Sequence, residues 1–179
     1  EMQERVKQLT GDKLSNLTVS TFHAFGVKIL RESIHHLPGY KENFTIYDQA
    51  DKNSAVKEAA RHAGLGGDNL DLYMVNNLIS EIKTGRKQWD RTNDIYKPIF
   101  DYYHSHLVAY NAVDFDDLII MPQMLFMKKP EVLEEYRERY KYIMVDEFQD
   151  TNPTQWQLIT PLLEEIAAGA NERQRSFFI

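Results

Sequence analysis

Residues 141–152, KYIMVDEFQDTN, set two carboxylates, Asp146 and Glu147, directly behind a run of strand formers at 142–145. A carboxylate buried without a partner is costly, and two neighbours repel each other as well. That spacing therefore calls for a cation that the segment itself does not supply. In an α/β sheet, a strand that delivers an Asp to its carboxyl end points it into the crevice where ligands bind. In nucleotide hydrolases such an Asp holds Mg²⁺, usually through water, and a neighbouring Glu can polarise the attacking water. Two acids behind an apolar run are by themselves a weak signal. The competing reading, an acidic cap for the helix that starts near Pro153, fits Asp150 or Asn152 better than Asp146 and Glu147.

The elements that must position this pair are mostly helices. Residues 16–20 read as a short buried strand, followed by a helix from about Ala24 to Ser33 with Phe25, Ile29 and Leu30 inward. Asp48 or Asp51 caps a helix running through Ala63 to a glycine stop. Leu72, Val75, Ile79 and Ile82 share one face of a helix that ends at Gly85. Tyr96, Ile99, Tyr103, Leu107 and Tyr110 recur at three- and four-residue steps, a stripe read as core rather than as a base-stacking surface. A further helix at 130–140 leads into the strand at Tyr142. Strands are expected at 17–20, 142–145 and 176–179, with only helices between the first two. That pattern suits an α/β domain interrupted by a helical insertion.

The chain has 179 residues, 42% hydrophobic and 12% aromatic, enough for a packed core. No apolar run approaches the roughly 20 residues that span a bilayer, so no membrane partner is expected. The absence of cysteine rules out disulfides, thiolate nucleophiles and cysteine-based zinc sites, and fits a reducing cytosol. With 21 basic and 27 acidic residues the net charge is −6, so any nucleic-acid contact must be local. Residues 81–97 hold five bases and three acids, whereas 131–150 hold three bases and seven acids. On charge alone, the reading favoured for both stretches is solvated helix faces. His104 and His106 stand two apart on a helix and do not face each other, which argues against a metal site there. The first residues read as the middle of a helix and the last as an unfinished strand, so the chain is expected to be a piece of a longer protein.

Longer stretches narrow the field. VDEFQDTNPTQWQLI (145–159) resembles motif II, the Walker B element, of superfamily 1A DNA helicases of the UvrD/PcrA/Rep type. VSTFHAFGVKIL (19–30) is similar to that family's motif Ib, and NAVDFDDLI (111–119) to its element Id. The opening EMQERV looks like the helix after motif Ia, and FTIYDQAD and ISEIKTGR resemble parts of helical domain 1B. The three motifs stand in the family's order, and the likeness as a whole extends over nearly all of the chain. The resemblance implies a mostly helical α/β fold, a partial RecA-like parallel sheet interrupted by a helical insertion. Residues 1–30 and 114–179 would be parts of domain 1A and residues 31–113 domain 1B. Strand pieces at 17–20 and 142–145 would share one sheet.

By motif match, Asp146 would coordinate Mg²⁺, Glu147 would be the catalytic base, and Gln149 would sense the γ-phosphate of ATP and couple it to DNA. Phe148 would pack. Thr21 and His23 resemble residues that touch the single-strand backbone. A hydroxyl, an imidazole and main-chain N–H groups suit such contacts, although a helix cap and a packed His would look the same. Lys83 and Arg86, in the basic stretch, are candidate DNA contacts, with plain solvated charge as the alternative. The acids of Id, Asp114 and Asp117 beside Phe115, would orient loops rather than do chemistry. The family implies an ATP-dependent 3′-to-5′ helicase acting on single-stranded DNA and single/double-strand junctions in repair, recombination or replication, in a bacterial cytosol and associated with the nucleoid. None of the eight glycines precedes a lysine, so the phosphate-binding Walker A loop is missing from this sequence. The chain alone is therefore expected to hold ATP poorly and to be inactive without the remainder of the helicase. Two other readings stay open, a RecB- or AddA-type helicase–nuclease subunit and a non-catalytic helical interaction module.

Overall fold

In the computed structural model, residues 17–67 and 70–163 and the backbone of 176–178 are described. The helix expected at the start of the chain and the strand residue Ile179 lie outside them. Two hydrophobic cores account for the architecture. The first is built by α1 (Phe22–Ser33), α5 (Asp117–Lys128), α6 (Pro130–Arg139) and α7 (Pro153–Leu163). Ile29, Leu30, Leu118, Leu125, Phe126, Tyr136, Leu158 and Leu162 fill it, and Ile34, Leu37 and Phe44 join them. The second core belongs to α2 (Gln49–His62), α3 (Leu72–Lys83) and α4 (Lys97–Ala109). Val56, Val75, Ile79, Ile99, Tyr103 and Leu107 interlock there, and its members run from Tyr47 to Ala112.

A short parallel pair, β1 (Thr45–Ile46) and β2 (Ala112–Val113), clasps the two ends of this second unit. The turn into β2 places Asn111 in the left-handed region (φ 48°), where its side-chain oxygen accepts the Lys41 N–H at 2.8 Å. The cap expected at Asp48 or Asp51 is present, and α3 starts on an acidic cap of its own. Asp48 accepts the N–H groups of Ala50 and Asp51 while Asp51 accepts that of Asp48, a capping box. Asp71 does the same single duty for α3 through the Met74 N–H. Of the aromatic stripe on α4, Ile99, Tyr103 and Leu107 are buried, and Tyr110 emerges into solvent at its end.

Helices α1 and α5 approach closely enough to require glycine. A Cβ on Gly26 would lie 1.8 Å from the Leu118 carbonyl oxygen. That carbonyl is available because Pro122, four residues on in α5, has no N–H to donate to it. Arg137 performs the matching service at the end of α7, donating from Nε and Nη2 to the Pro161 carbonyl at 2.9 and 2.7 Å.

Two strand expectations change. Residues 17–20 form no strand and are mostly exposed; they run extended into Thr21, the cap of α1. The Thr18 hydroxyl lies 3.4 Å from both Lys28 Nζ and Tyr140 Oη, a side-chain tie rather than a ladder. Strand β3 (Tyr142–Met144) does form, but its partner is β4 (Ser176–Phe178), parallel and in register from Tyr142 opposite Ser176. It is also not buried. Ile143 turns toward the first core, while Tyr142 and Met144, on the other face, are 71% and 77% exposed. Among the described residues no helix is long and apolar enough to cross a membrane.

Candidate functional site

The chain leaves β3 through buried Val145 and delivers Asp146 and Glu147 to the surface. Surface placement answers the problem of two adjacent acids, since water solvates both. Among the described residues neither has a Lys, Arg or His within ion-pair distance. Asp146 Oδ1 accepts the Glu147 N–H at 3.0 Å, and among the described residues Oδ2 has no hydrogen-bond partner. Glu147 itself sits at φ 49°, ψ 43°, in the left-handed region. For a residue with a Cβ this conformation is disfavoured by about 1–2 kcal/mol. Its carboxylate Oε2 accepts a hydrogen bond from Gln149 Nε2, and its carbonyl accepts the Asp150 N–H at 2.9 Å.

The helix beyond is capped by a different residue. Asn152 Oδ1 accepts the Gln155 N–H at 2.9 Å, and Gln155 Oε1 accepts the Asn152 N–H at 3.1 Å. Capping is thus not what Asp146 and Glu147 do. Phe148 packs edge-on against Trp156, ring centres 5.2 Å apart, which anchors the turn to α7.

A second group forms at the start of α1. Thr21 Oγ1 accepts the Ala24 N–H at 3.2 Å, so the cap is real, and a helix start of this kind, with a hydroxyl beside its unpaired first N–H groups, suits an anion. His23 is half-buried and meets Phe115 edge-on at 5.8 Å between ring centres. Phe115, 54% exposed, is the outward residue of the turn 114–117 that leads into α5. Motifs far apart in sequence are therefore brought side by side. No hydrogen bond or ion pair among the described residues joins this group to Asp146 or Glu147; the two form separate surfaces.

Lys83 differs from the exposed cation that the basic stretch suggested. Its side chain is 9% exposed, and its Nζ donates to Asp114 Oδ1 at 2.8 Å and lies 2.7 Å from Asp117 Oδ1. Burial alone would lower its pKa, yet the two carboxylates outweigh burial and hold it above the usual lysine value. Burial likewise opposes ionisation of Asp114, but Lys83 and Lys52 override it and keep that carboxyl well below its ordinary range. Asp117 goes the other way, raised by burial and by its ionised neighbour Asp114 despite Lys83. Each of the two acids also accepts the other's backbone N–H at 3.0 Å, closing the turn. Lys83 is thus buried and committed to the turn rather than exposed as a surface cation. Arg86 is exposed, braced by Thr84 Oγ1 at 2.9 Å and Ser80 Oγ at 3.4 Å.

Around Asp114 and Asp117 the structure places two partners that sequence inspection passed over, Lys52 and Tyr103, while Ser80 holds the neighbouring Asp116. A signal was present. Lys83 continues the buried i, i+4 row Val75, Ile79 on α3, and Lys52 opens the row Val56, Ala60 on α2. A lysine in the inward row of a helix needs a buried acid.

Comparisons with known proteins bear on these two surfaces. The sequence profile of the UvrD/REP helicase N-terminal domain matches residues 1–169. The chain is similar to the ATP-dependent DNA helicase PcrA of Staphylococcus aureus, 36% identical over 167 residues. It is 35% identical over 167 residues to the protein of the same name from Staphylococcus epidermidis. Each alignment covers 89% of this chain and 23% of the relative, so the chain spans about a quarter of those proteins' length.

Proposed function

Since the chain belongs to the UvrD/REP helicase N-terminal domain family, we propose that it contributes the acidic half of a nucleotide site and one bank of a single-strand track to an ATP-dependent DNA helicase. The observation that carries the nucleotide half is Glu147, held in a disfavoured backbone conformation with its carboxylate oriented by Gln149. Backbone strain of this kind persists where geometry is needed for chemistry. Asp146 fits Mg²⁺ as a single exposed carboxylate with one oxygen unpartnered among the described residues, the modest protein ligation that this ion takes beside waters and phosphates. Bound MgATP supplies the reacting phosphoryl group and the positive charge that the two acids lack. Glu147 accepts the proton of the attacking water at Oε1, the oxygen Gln149 does not engage. Gln149, already bonded to the base, is the group assigned to sensing the terminal phosphate.

The DNA half rests on Thr21, His23, Phe115 and Arg86. The N-terminal turn of α1 and the Thr21 hydroxyl suit a phosphate, the exposed Phe115 ring offers a face to a base, and Arg86 adds one cation. Such contacts are indifferent to sequence, as a translocase on single strands or at strand junctions requires. The helicase name of the relatives favours this reading over a helicase–nuclease subunit or a non-catalytic module.

Anisotropy of a labelled oligo-dT with the full-length protein tests this half. Phe115→Ala should weaken binding by about tenfold or more without altering the salt dependence, because a stack carries no counterion release. Arg86→Ala should flatten the slope of log affinity against log salt by up to about 0.7. Binding within about twofold of wild type in both variants would remove these residues from the track.

A further inference from the structure

Residues 114–117 form the turn between the two cores, and every polar side chain in it is held from the insertion. Asp114 Oδ1 accepts from Lys83 at 2.8 Å, and Oδ2 accepts from Tyr103 Oη at 2.8 Å with Lys52 Nζ at 3.6 Å. Asp116 Oδ1 accepts from Ser80 Oγ at 2.8 Å, and Oδ2 from Lys52 Nζ at 3.1 Å. Asp117 Oδ1 lies 2.7 Å from Lys83 Nζ. The donors come from α2, α3 and α4, so all three insertion helices grip one turn. Its remaining residue, Phe115, is the one that faces solvent and meets His23.

Stability alone does not call for this arrangement. Buried ion pairs seldom stabilise more than apolar packing of the same volume. What directional bonds add is a fixed orientation of the turn, and Phe115 is the residue that this turn carries to the surface. We propose that Asp116, with Lys52 and Ser80, is a positioning residue that presents Phe115 as a rigid platform to a base of the single strand. The orientation of the helical insertion is thereby tied to the DNA track. Arg86, whose Nη2 lies 3.4 Å from the same Ser80 hydroxyl, joins the backbone-contact side to the same brace. The proposal rests on the reading of Phe115 as a DNA-facing residue.

Asp116 is only partly buried, so Asp116→Ala loosens the turn without stranding Lys83. The test uses the full-length protein, an oligo-dT carrying one 2-aminopurine, and the variants Phe115→Ala, Asp116→Ala and the double change. Each single variant should weaken binding about tenfold, the expected worth of one base stack. The double variant should lose no more than about twofold beyond Phe115→Ala, the sign of a shared interaction. Asp116→Ala should also lose the Phe115-dependent quenching of 2-aminopurine, a signature that mere loss of stability would not move. The proposal is overturned if Phe115→Ala weakens binding while Asp116→Ala binds and quenches like wild type, or if the two losses multiply. Wild-type binding by Phe115→Ala would instead remove the underlying reading, and the proposal with it. If Asp116→Ala does not fold, Ser80→Ala, which deletes one of the two donors to that carboxylate, is judged by the same criteria.

Discussion

Lys83→Met is the most severe single test of how the two cores are joined. Methionine keeps the length and apolar character of the stem but removes the charge shared by Asp114 and Asp117, 2.8 and 2.7 Å away. Asp114 retains Lys52 at 3.6 Å and the Tyr103 hydroxyl, whereas Asp117 is left with one backbone N–H. Removing one partner of a buried pair destabilises by about 3–5 kcal/mol, because the remaining charge is stranded. The sign of the pH dependence follows from Asp117. Its folded-state pKa is already raised, by burial and by Asp114, and the loss of Lys83 raises it further. A group raised on folding gives stability that is present below its unfolded pKa and lost as pH rises through the folded value. The loss in Lys83→Met should therefore be largest at about pH 8 and shrink toward about pH 5, where a proton neutralises the stranded acid. Urea unfolding at both pH values reads the difference, and adding Asp117→Asn should restore most of it. A loss under about 1 kcal/mol, or one equal at the two pH values, would refute the buried-pair argument.

Two further variants probe the frame of the site. Gly26→Ala places a methyl where the Leu118 carbonyl stands, so α1 and α5 must move apart, and urea unfolding should show a loss near 3 kcal/mol, about the upper end for overpacking; an unchanged midpoint would contradict the close approach. Asn152→Ala should destabilise by about 1 kcal/mol through loss of the α7 cap, with Asp150→Ala nearly neutral. Equal losses in that second pair would show that the cap is misassigned.

Features set by local rules were legible in the sequence. Asp48 and Asp51 cap α2, Val75 and Ile79 lie inward on α3, and residues 142–144 form a strand, because capping and periodicity act within one or two turns. The helices between residues 49 and 109 were legible from their periodicity. What was not legible depends on partners distant in sequence. Residues 17–20 have strand composition but find a cap and a side-chain tie instead of a ladder. The two-residue strands β1 and β2 are too short to give any pattern, and only the closure of the insertion pairs them. Lys83 looked like part of a basic surface stretch because its nearest neighbours in sequence are basic. Its acids lie 31 and 34 residues on, and only the i, i+4 row it continues betrays that it points inward. For the candidate site, residue types singled out Asp146 and Glu147 as a proposal, whereas the backbone conformation of Glu147 and its bond from Gln149 had to be seen.

The central claim is that Glu147 is the base of an ATP-hydrolysing site to which this chain contributes the acids. The direct measurement is steady-state ATP turnover by the full-length protein with single-stranded DNA, paired with nucleotide affinity, for wild type and Glu147→Gln. The amide preserves shape and leaves Asp146 in place but cannot take a proton from water. Turnover should fall by about a hundredfold or more while nucleotide affinity stays within about twofold. Turnover close to wild type in Glu147→Gln would contradict the account.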